Sequence, residues 1–238
     1  MKWDYPWPPL PNSHQKPQWT GNGFRLENRM QPILTYEVGA SGWTDELTNF
    51  HEKTAGENHF IDLALRQHAL RQLKKYLQRV SPIILEVGCP SGYMLRLIRE
   101  RLPHAFLIGS NYVSGPLMNL ARQMPHIPLL QFDLTHCPLS DESIDTIVLL
   151  NVLEHIGDNG AAMRQIFRIL KPGGIAVIEV PAGPKLYDIY DKLLRHHRRY
   201  SLTALRNLPQ TAGLRIVGHS HLGFFIYPGF WWVKRRNR

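Results

Sequence analysis

"IILEVGCPSGYML", Ile83 to Leu95, carries three structural signals in succession. An apolar run of strand length comes first, then a turn bracketed by two glycines, then the opening of a helical pattern. Gly88 and Gly92 tolerate positive φ and let another group approach the backbone closely, so they suit a tight strand-to-helix turn. Pro90, between them, fixes φ near −65° and removes one N–H donor. The glycine spacing is not that of the dinucleotide fingerprint G-x-G-x-x-G. No G-K-[ST] follows either, so neither a nicotinamide site nor a P-loop is supported.

Working outward, short apolar runs alternate with helical periods. Strands are expected at "IILEV" (83–87), "AFLIG" (105–109), "PLLQF" (128–132), "IDTIVLL" (144–150) and "IAVIEV" (175–180). Helices are expected at 57–79, 92–101, 116–123 and 159–170, the last stopped by "KPGG" (171–174), and another begins after Ser201 as N-cap. The tail "LRIVGHSHLGFFIYPGF" (214–230) reads as two closing strands. This alternation implies right-handed βαβ crossovers, hence an α/β fold. The expectation is a Rossmann-like, mainly parallel sheet of seven strands with helices on both faces. Residues 1–40, opening with "WDYPWPPLP", show no period over the first thirty or so and read as an extended N-terminal arm. A single domain is expected over 41–238. In such a sheet ligands bind outside the carboxyl ends of the strands, which points to Glu86 to Gly92, Asn111, Asp133 and Asn151 to His155.

Composition narrows the class further. With 238 residues and only Cys89 and Cys137, a disulfide-stapled secreted protein is not expected, and a reducing cytoplasm fits. Apolar runs are too short and too broken by Gly and Pro to span a bilayer, which needs about 20 residues. The net charge of +9, concentrated in "RHHRRY" (195–200) and "KRRNR" (234–238), favours anionic partners. Nucleic acid is not the expected partner: no N-P-P-[YF] type segment follows the fourth strand, where "NVLEH" stands instead, and no separate basic module is found. The aromatic and basic end "FFIYPGFWWVKRR" (224–236) suits peripheral contact with a membrane interface, or two strands and an exposed tail. No metal site is expected: the histidines at 196, 197, 219 and 221 lack a carboxylate or cysteine at ligand spacing.

Several ordered blocks resemble the class I S-adenosylmethionine-dependent methyltransferases, and most closely their small-molecule "type 11" branch. They are "ILEVGCPSG", "LIGSNYVSGPLMNLAR" (107–122), "LLQFDLTHCPLSDESIDTIVLLNVLEHI" (129–156), "IFRILKPGGIAVIEVP" (166–181) and "YDKLLRHHRRYSLTALRNLPQTAGLRIV" (190–217). The resemblance implies S-adenosylmethionine as cofactor and a small-molecule acceptor. It gives Glu86, with backbone around Gly88, Cys89 and Gly92, to the methionine and ribose. Asn111 and Tyr112 fall at the ribose, Asp133 and the Leu134 amide at the adenine, and Asn151 at the sulfonium side. Glu154 and His155 would open toward the acceptor. Each also has a plainer reading: Glu86 as a turn cap, Asp133 as a turn former, His155 as a satisfied histidine. Two residues depart from the family pattern. Pro90 replaces the middle glycine, and Asn111 replaces the acidic residue that accepts both ribose hydroxyls.

Methyl transfer to a hydroxyl calls for a base, and His155 or His197 has a suitable intrinsic pKa, with Tyr187 and Tyr200 to position it. Arg195, Arg198 and Arg199 follow the fifth strand and would clamp an anionic group on the acceptor, or form a solvated face pairing with Asp188 and Asp191. A weakened cofactor-binding scaffold and an RNA methyltransferase are the alternatives to an active small-molecule enzyme.

Overall fold

The computed structural model describes residues 5–11, 13, 15–36, 44–48, 57 and 59–222. The central sheet follows from the apolar runs. β5 (Ile83–Val87), β6 (Phe106–Asn111), β7 (Leu129–Gln131), β8 (Ile144–Leu150) and β9 (Leu170–Glu179) lie parallel and are joined by a short β4 (Leu34–Thr35). The order is β4-β7-β6-β5-β8-β9: after the edge strand β4 the chain enters the middle at β5, winds one way to β7 and then the other way to β9. The reversal between β5 and β8 opens a crevice at their carboxyl ends, the place where such sheets take ligands.

Helices cover both faces. α1 (Phe60–Tyr76), α2 (Tyr93–Arg101) and α3 (Ser114–Gln123) bury Leu70, Leu73, Leu95, Ile98, Leu117 and Leu120 against one side. On the other side, α4 (Asn159–Ile169) packs Met163 and Ile166, and α6 (Leu202–Thr211) adds Leu205 and Leu208. A short α5 (Ile189–Leu193) precedes α6.

The N-terminal segment is more than an extended arm. It forms an antiparallel sheet of β1 (Gln18–Trp19), β2 (Phe24–Leu26) and β3 (Arg29–Gln31), then supplies β4 to the main sheet. Tyr5, Trp7 and Phe24 are buried in the same cluster as Phe106, Ile108 and Phe132. The Trp7 ring lies 4.9 Å from Phe24 and 6.3 Å from Phe106. The arm's aromatics therefore fill the core over β6 and β7, on the face where α4 and α6 pack.

The seven-stranded count is corrected to six among the described residues. Residues 214–222 form no strand, and 223–230 lie outside the described residues. Rather than pairing with β9, this segment reaches α1: Tyr76 Oη donates to Val217 O at 3.1 Å, and Ser220 Oγ meets His68 Nε2 at 2.8 Å. The basic run 234–238 and the whole aromatic segment before it also lie outside the described residues. Among the described residues, no helix is long and apolar enough to cross a membrane.

Candidate functional site

A cavity of about 570 Å³ opens at the carboxyl ends of β5, β6, β7 and β8, where the sheet reverses. The turn after β5 forms its floor. Gly88 adopts φ +78° and Gly92 φ +65°. A Cβ on Gly88 would stand 2.5 Å from Val152 Cγ2, and one on Gly92 2.6 Å from Leu120 Cδ1, so glycine is required at both by backbone and by space. The Gly88 and Cys89 N–H groups both donate to Ser110 O, at 2.8 and 3.1 Å. Pro90 lies in the cavity wall between them with the turn intact. Cys89 contributes to the wall, but its residue is buried with the α2 and α3 side chains, and burial pushes its thiol well above the usual range.

Glu86 lies on β5 and lines the cavity. Gly92 offers no side-chain cap to α2, and the Leu95 N–H in that helix's first turn is close enough to act on the Glu86 carboxyl. Its Oε2 is buried without a hydrogen-bond partner. Burial pushes the carboxyl up to about 8, against the lowering pull of Leu95 N–H and the Arg66 charge.

The next three predicted positions line the wall in sequence. Asn111 ends β6, and its Oδ1 accepts the Val113 N–H at 3.4 Å. Tyr112 follows, its hydroxyl buried with no hydrogen-bond partner. Asp133 Oδ1 accepts both N–H and Oγ1–H of Thr135, each at 2.8 Å, which fixes the turn that holds Leu134. Across the cavity, Asn151 takes φ +54°, and its N–H donates to Glu179 O at 3.0 Å.

His155 and His197 both belong to the wall; Tyr187, Tyr200, Arg195, Arg198 and Arg199 do not. Tyr200 is buried beneath it, its hydroxyl donating to Leu153 O at 3.2 Å and accepting from Asn159 Nδ2 at 2.9 Å. Tyr187 Oη donates to His196 O. Arg198 Nη2 donates to Gly157 O at 2.7 Å, while Arg199 Nε reaches both oxygens of Asp191 at 2.8 and 2.9 Å. Arg195 holds φ +52° at the end of α5. Arg198 and Arg199 thus brace protein groups instead of converging on the cavity. Burial alone would raise the Asp191 carboxyl, but hydrogen bonds from His196 and Arg199 hold it well below the usual carboxylate range.

Glu154, expected to open toward the acceptor, is instead fully buried, and neither of its oxygens has a hydrogen-bond partner of acceptable geometry. Burial pushes it up to about 8. Arg66, Asp62 and Tyr93 line the cavity without having been singled out from the sequence. The Arg66 guanidinium sits 5.1 Å above the Tyr93 ring. The available signal was the period of α1, which puts Asp62, Leu65 and Arg66 on one side. Among the described lining residues Arg66 is the one lysine or arginine, facing carboxyls at Asp62, Glu86, Asp133 and Asp158.

Comparison with known proteins agrees with this geometry. The model of a methyltransferase domain matches residues 58–219. A Mycolicibacterium smegmatis protein described as a probable S-adenosylmethionine-dependent methyltransferase is 29% identical over 168 residues, covering 68% of this chain and 65% of its own. The demethylmenaquinone methyltransferase of Thermus thermophilus is 25% identical over 125 residues, covering 48% of this chain and 56% of its own. The chain therefore spans less than two thirds of the length of these relatives. The crystal structure of YcgJ from Bacillus subtilis superposes with a TM-score of 0.54 at 20% identity, covering 63% of this chain and 69% of that one, and shows the shared fold. With the match running through every strand and loop that builds the cavity, the chain belongs to the methyltransferase-domain family, the class I S-adenosylmethionine-dependent methyltransferases.

Proposed function

We propose that this chain transfers a methyl group from S-adenosylmethionine to a small-molecule acceptor by in-line displacement. The observation that carries the reading is the buried, unpartnered Glu86 Oε2 at the floor of a cavity whose charged groups are carboxyls at Asp62, Glu86, Asp133 and Asp158 against the Arg66 guanidinium. Such a wall fits a ligand carrying a sulfonium and an ammonium group. When bound, S-adenosylmethionine supplies an electrophilic methyl group, so the protein's task is chiefly alignment. Glu86 would accept from the ammonium and Arg66 would pair with the carboxylate. Tyr112 Oη and Asn111 would meet the ribose, and the second Asp133 oxygen with the Leu134 amide would meet the adenine.

At the acceptor end His197 is the better placed base. Its backbone N–H donates to Glu154 O at 2.7 Å, and its ring borders Gly157, where an added Cβ would stand 3.7 Å from Cε1. Tyr200 enters as a brace for the 153–155 turn. With Arg198 and Arg199 engaged by protein groups, an anionic head on the acceptor loses its expected clamp. A lipophilic or lipid-linked acceptor gains support from Ile189, Tyr190 and Leu193, exposed on α5 just ahead of His197, and from the relative named for demethylmenaquinone. A cytoplasmic setting belongs to the same reading, in keeping with two free, buried cysteines.

The test is calorimetry with S-adenosylmethionine and with nicotinamide dinucleotides, followed by incubation of the protein with methyl-labelled cofactor and a cell extract. Binding of the first ligand alone and one labelled small molecule are expected. His197→Gln should lower kcat and leave cofactor Kd unchanged. Label on RNA would favour the nucleic-acid alternative, and binding without any transfer would favour a retired scaffold.

A further inference from the structure

We propose that Glu154, His155 and His196 form a site for one divalent first-row metal ion, of the zinc, manganese or iron(II) class, with open coordination positions toward the cavity. Spacing along the chain gave the His196 region no carboxylate. The fold supplies one from the turn after β8, bringing one donor atom from each of the three side chains within 4.8 Å of one another. Ligands about 2.1 Å from a common ion lie roughly 3 to 4.3 Å apart, so small side-chain rotations close the set.

Independent observations agree with an occupant. Glu154 is 0% exposed and its two oxygens lack hydrogen-bond partners, an arrangement whose desolvation cost a bound cation offsets. The rings of His155 and His196 meet edge to face, with centroids 4.6 Å apart and planes at 78°. His196 Nδ1 lies 2.8 Å from Asp191 Oδ1, which leaves Nε2 as the ligating nitrogen, the outer-sphere pattern that orients metal-bound imidazoles. Asp191 is itself fixed by Arg199 Nε and by the Asp188 N–H at 2.9 Å. Two imidazoles and one carboxylate, with no thiolate, select borderline divalent ions over soft ones. His155 also belongs to the cavity wall, so an ion held here would present its remaining positions to an oxygen of the acceptor and favour that oxygen's ionised form. The site stands on metal binding alone, whether or not methyl transfer occurs.

The full chain, stripped with a chelator and dialysed, is titrated with zinc and manganese chlorides by calorimetry and with cobalt(II) by visible absorption. One ion per chain is expected. Glu154→Gln and His196→Ala should each weaken binding by about 100-fold or more, and Asp191→Asn by about 10- to 100-fold. His219→Ala/His221→Ala should change nothing. Folding of each variant is checked by circular dichroism. If the variants misfold, the wild-type imidazole resonances decide: zinc must shift those of His155 and His196 and leave those of His219 and His221 in place. Absence of saturable one-to-one binding overturns the proposal. So does binding indifferent to Glu154 and His196, binding lost with the His219/His221 pair, or zinc shifts confined to other rings.

Discussion

Gly88→Ala tests the turn on which the cavity rests. Two costs can be worked from the structure. At φ +78° an L residue costs about 1–2 kcal/mol over glycine. The new Cβ would also lie 2.5 Å from Val152 Cγ2. Val152 is β-branched, stiff at χ1 and packed against the core, so it cannot swing aside freely; overpacking of this kind costs about 1–3 kcal/mol. The sum is a loss of about 2–5 kcal/mol, read as a fall in the urea midpoint at unchanged m-value. A double-mutant cycle separates the two parts. In a Val152→Ala background the methyl collision disappears and the backbone cost stays, so the Gly88→Ala penalty should shrink to about 1–2 kcal/mol. A penalty under about 0.5 kcal/mol in the wild-type background, or an equal penalty in both backgrounds, would refute the reasoning.

Three further outcomes are expected. Asn111→Asp keeps the acceptor used by Val113 N–H and adds a charged one, so S-adenosylmethionine should bind about 10- to 100-fold more tightly by calorimetry; unchanged affinity would mean that residue 111 does not touch the ribose. Glu86, raised from 4.5 to about 8 by burial, contributes stability that is full below 4.5 and lost as pH rises through 8, a slope that Glu86→Gln should flatten in pH-dependent unfolding. Cofactor affinity should run the other way, climbing between pH 6 and 8 with proton release, and pH-independent binding there would contradict a cation on Glu86. Trp7→Ala should cost about 3–5 kcal/mol within one cooperative transition, whereas a separate early transition would show that the arm is not core.

The sheet and the position of the cavity were legible in the sequence because both follow from local signals. Apolar runs of strand length gave β5 to β9, and the glycines at 88 and 92 marked a turn where space and φ leave little choice. What was illegible depends on partners. Tyr5, Trp7 and Phe24 reach the core from irregular chain and very short strands, which impose no period. Arg198 and Arg199 read alike whether they face solvent, an anionic ligand or a buried carboxylate, and only the fold brings Asp191 beneath Arg199. The family resemblance made Glu154 an acceptor-facing acid, yet the turn buries it. The alternation after Leu214 suggested a strand, but Tyr76 and His68 on α1 take groups from that segment.

Net charge misleads about this cavity, and the reason is distance. The chain carries +9, but the cavity sets carboxyls at Asp62, Glu86, Asp133 and Asp158 against one guanidinium. Surface charges are screened within roughly 8 Å at physiological salt, whereas groups lining a low-dielectric crevice act at short range with little screening. The cavity therefore favours a cation although the molecule as a whole favours anions. That local sign bears on turnover as well as on binding. On the proposed reaction, transfer of the methyl group would turn the sulfonium into a neutral thioether while the ammonium given to Glu86 stays, so the acidic wall would lose one of two cationic partners as the product forms. On that reading the same carboxyls would favour the donor over its spent form by one positive charge.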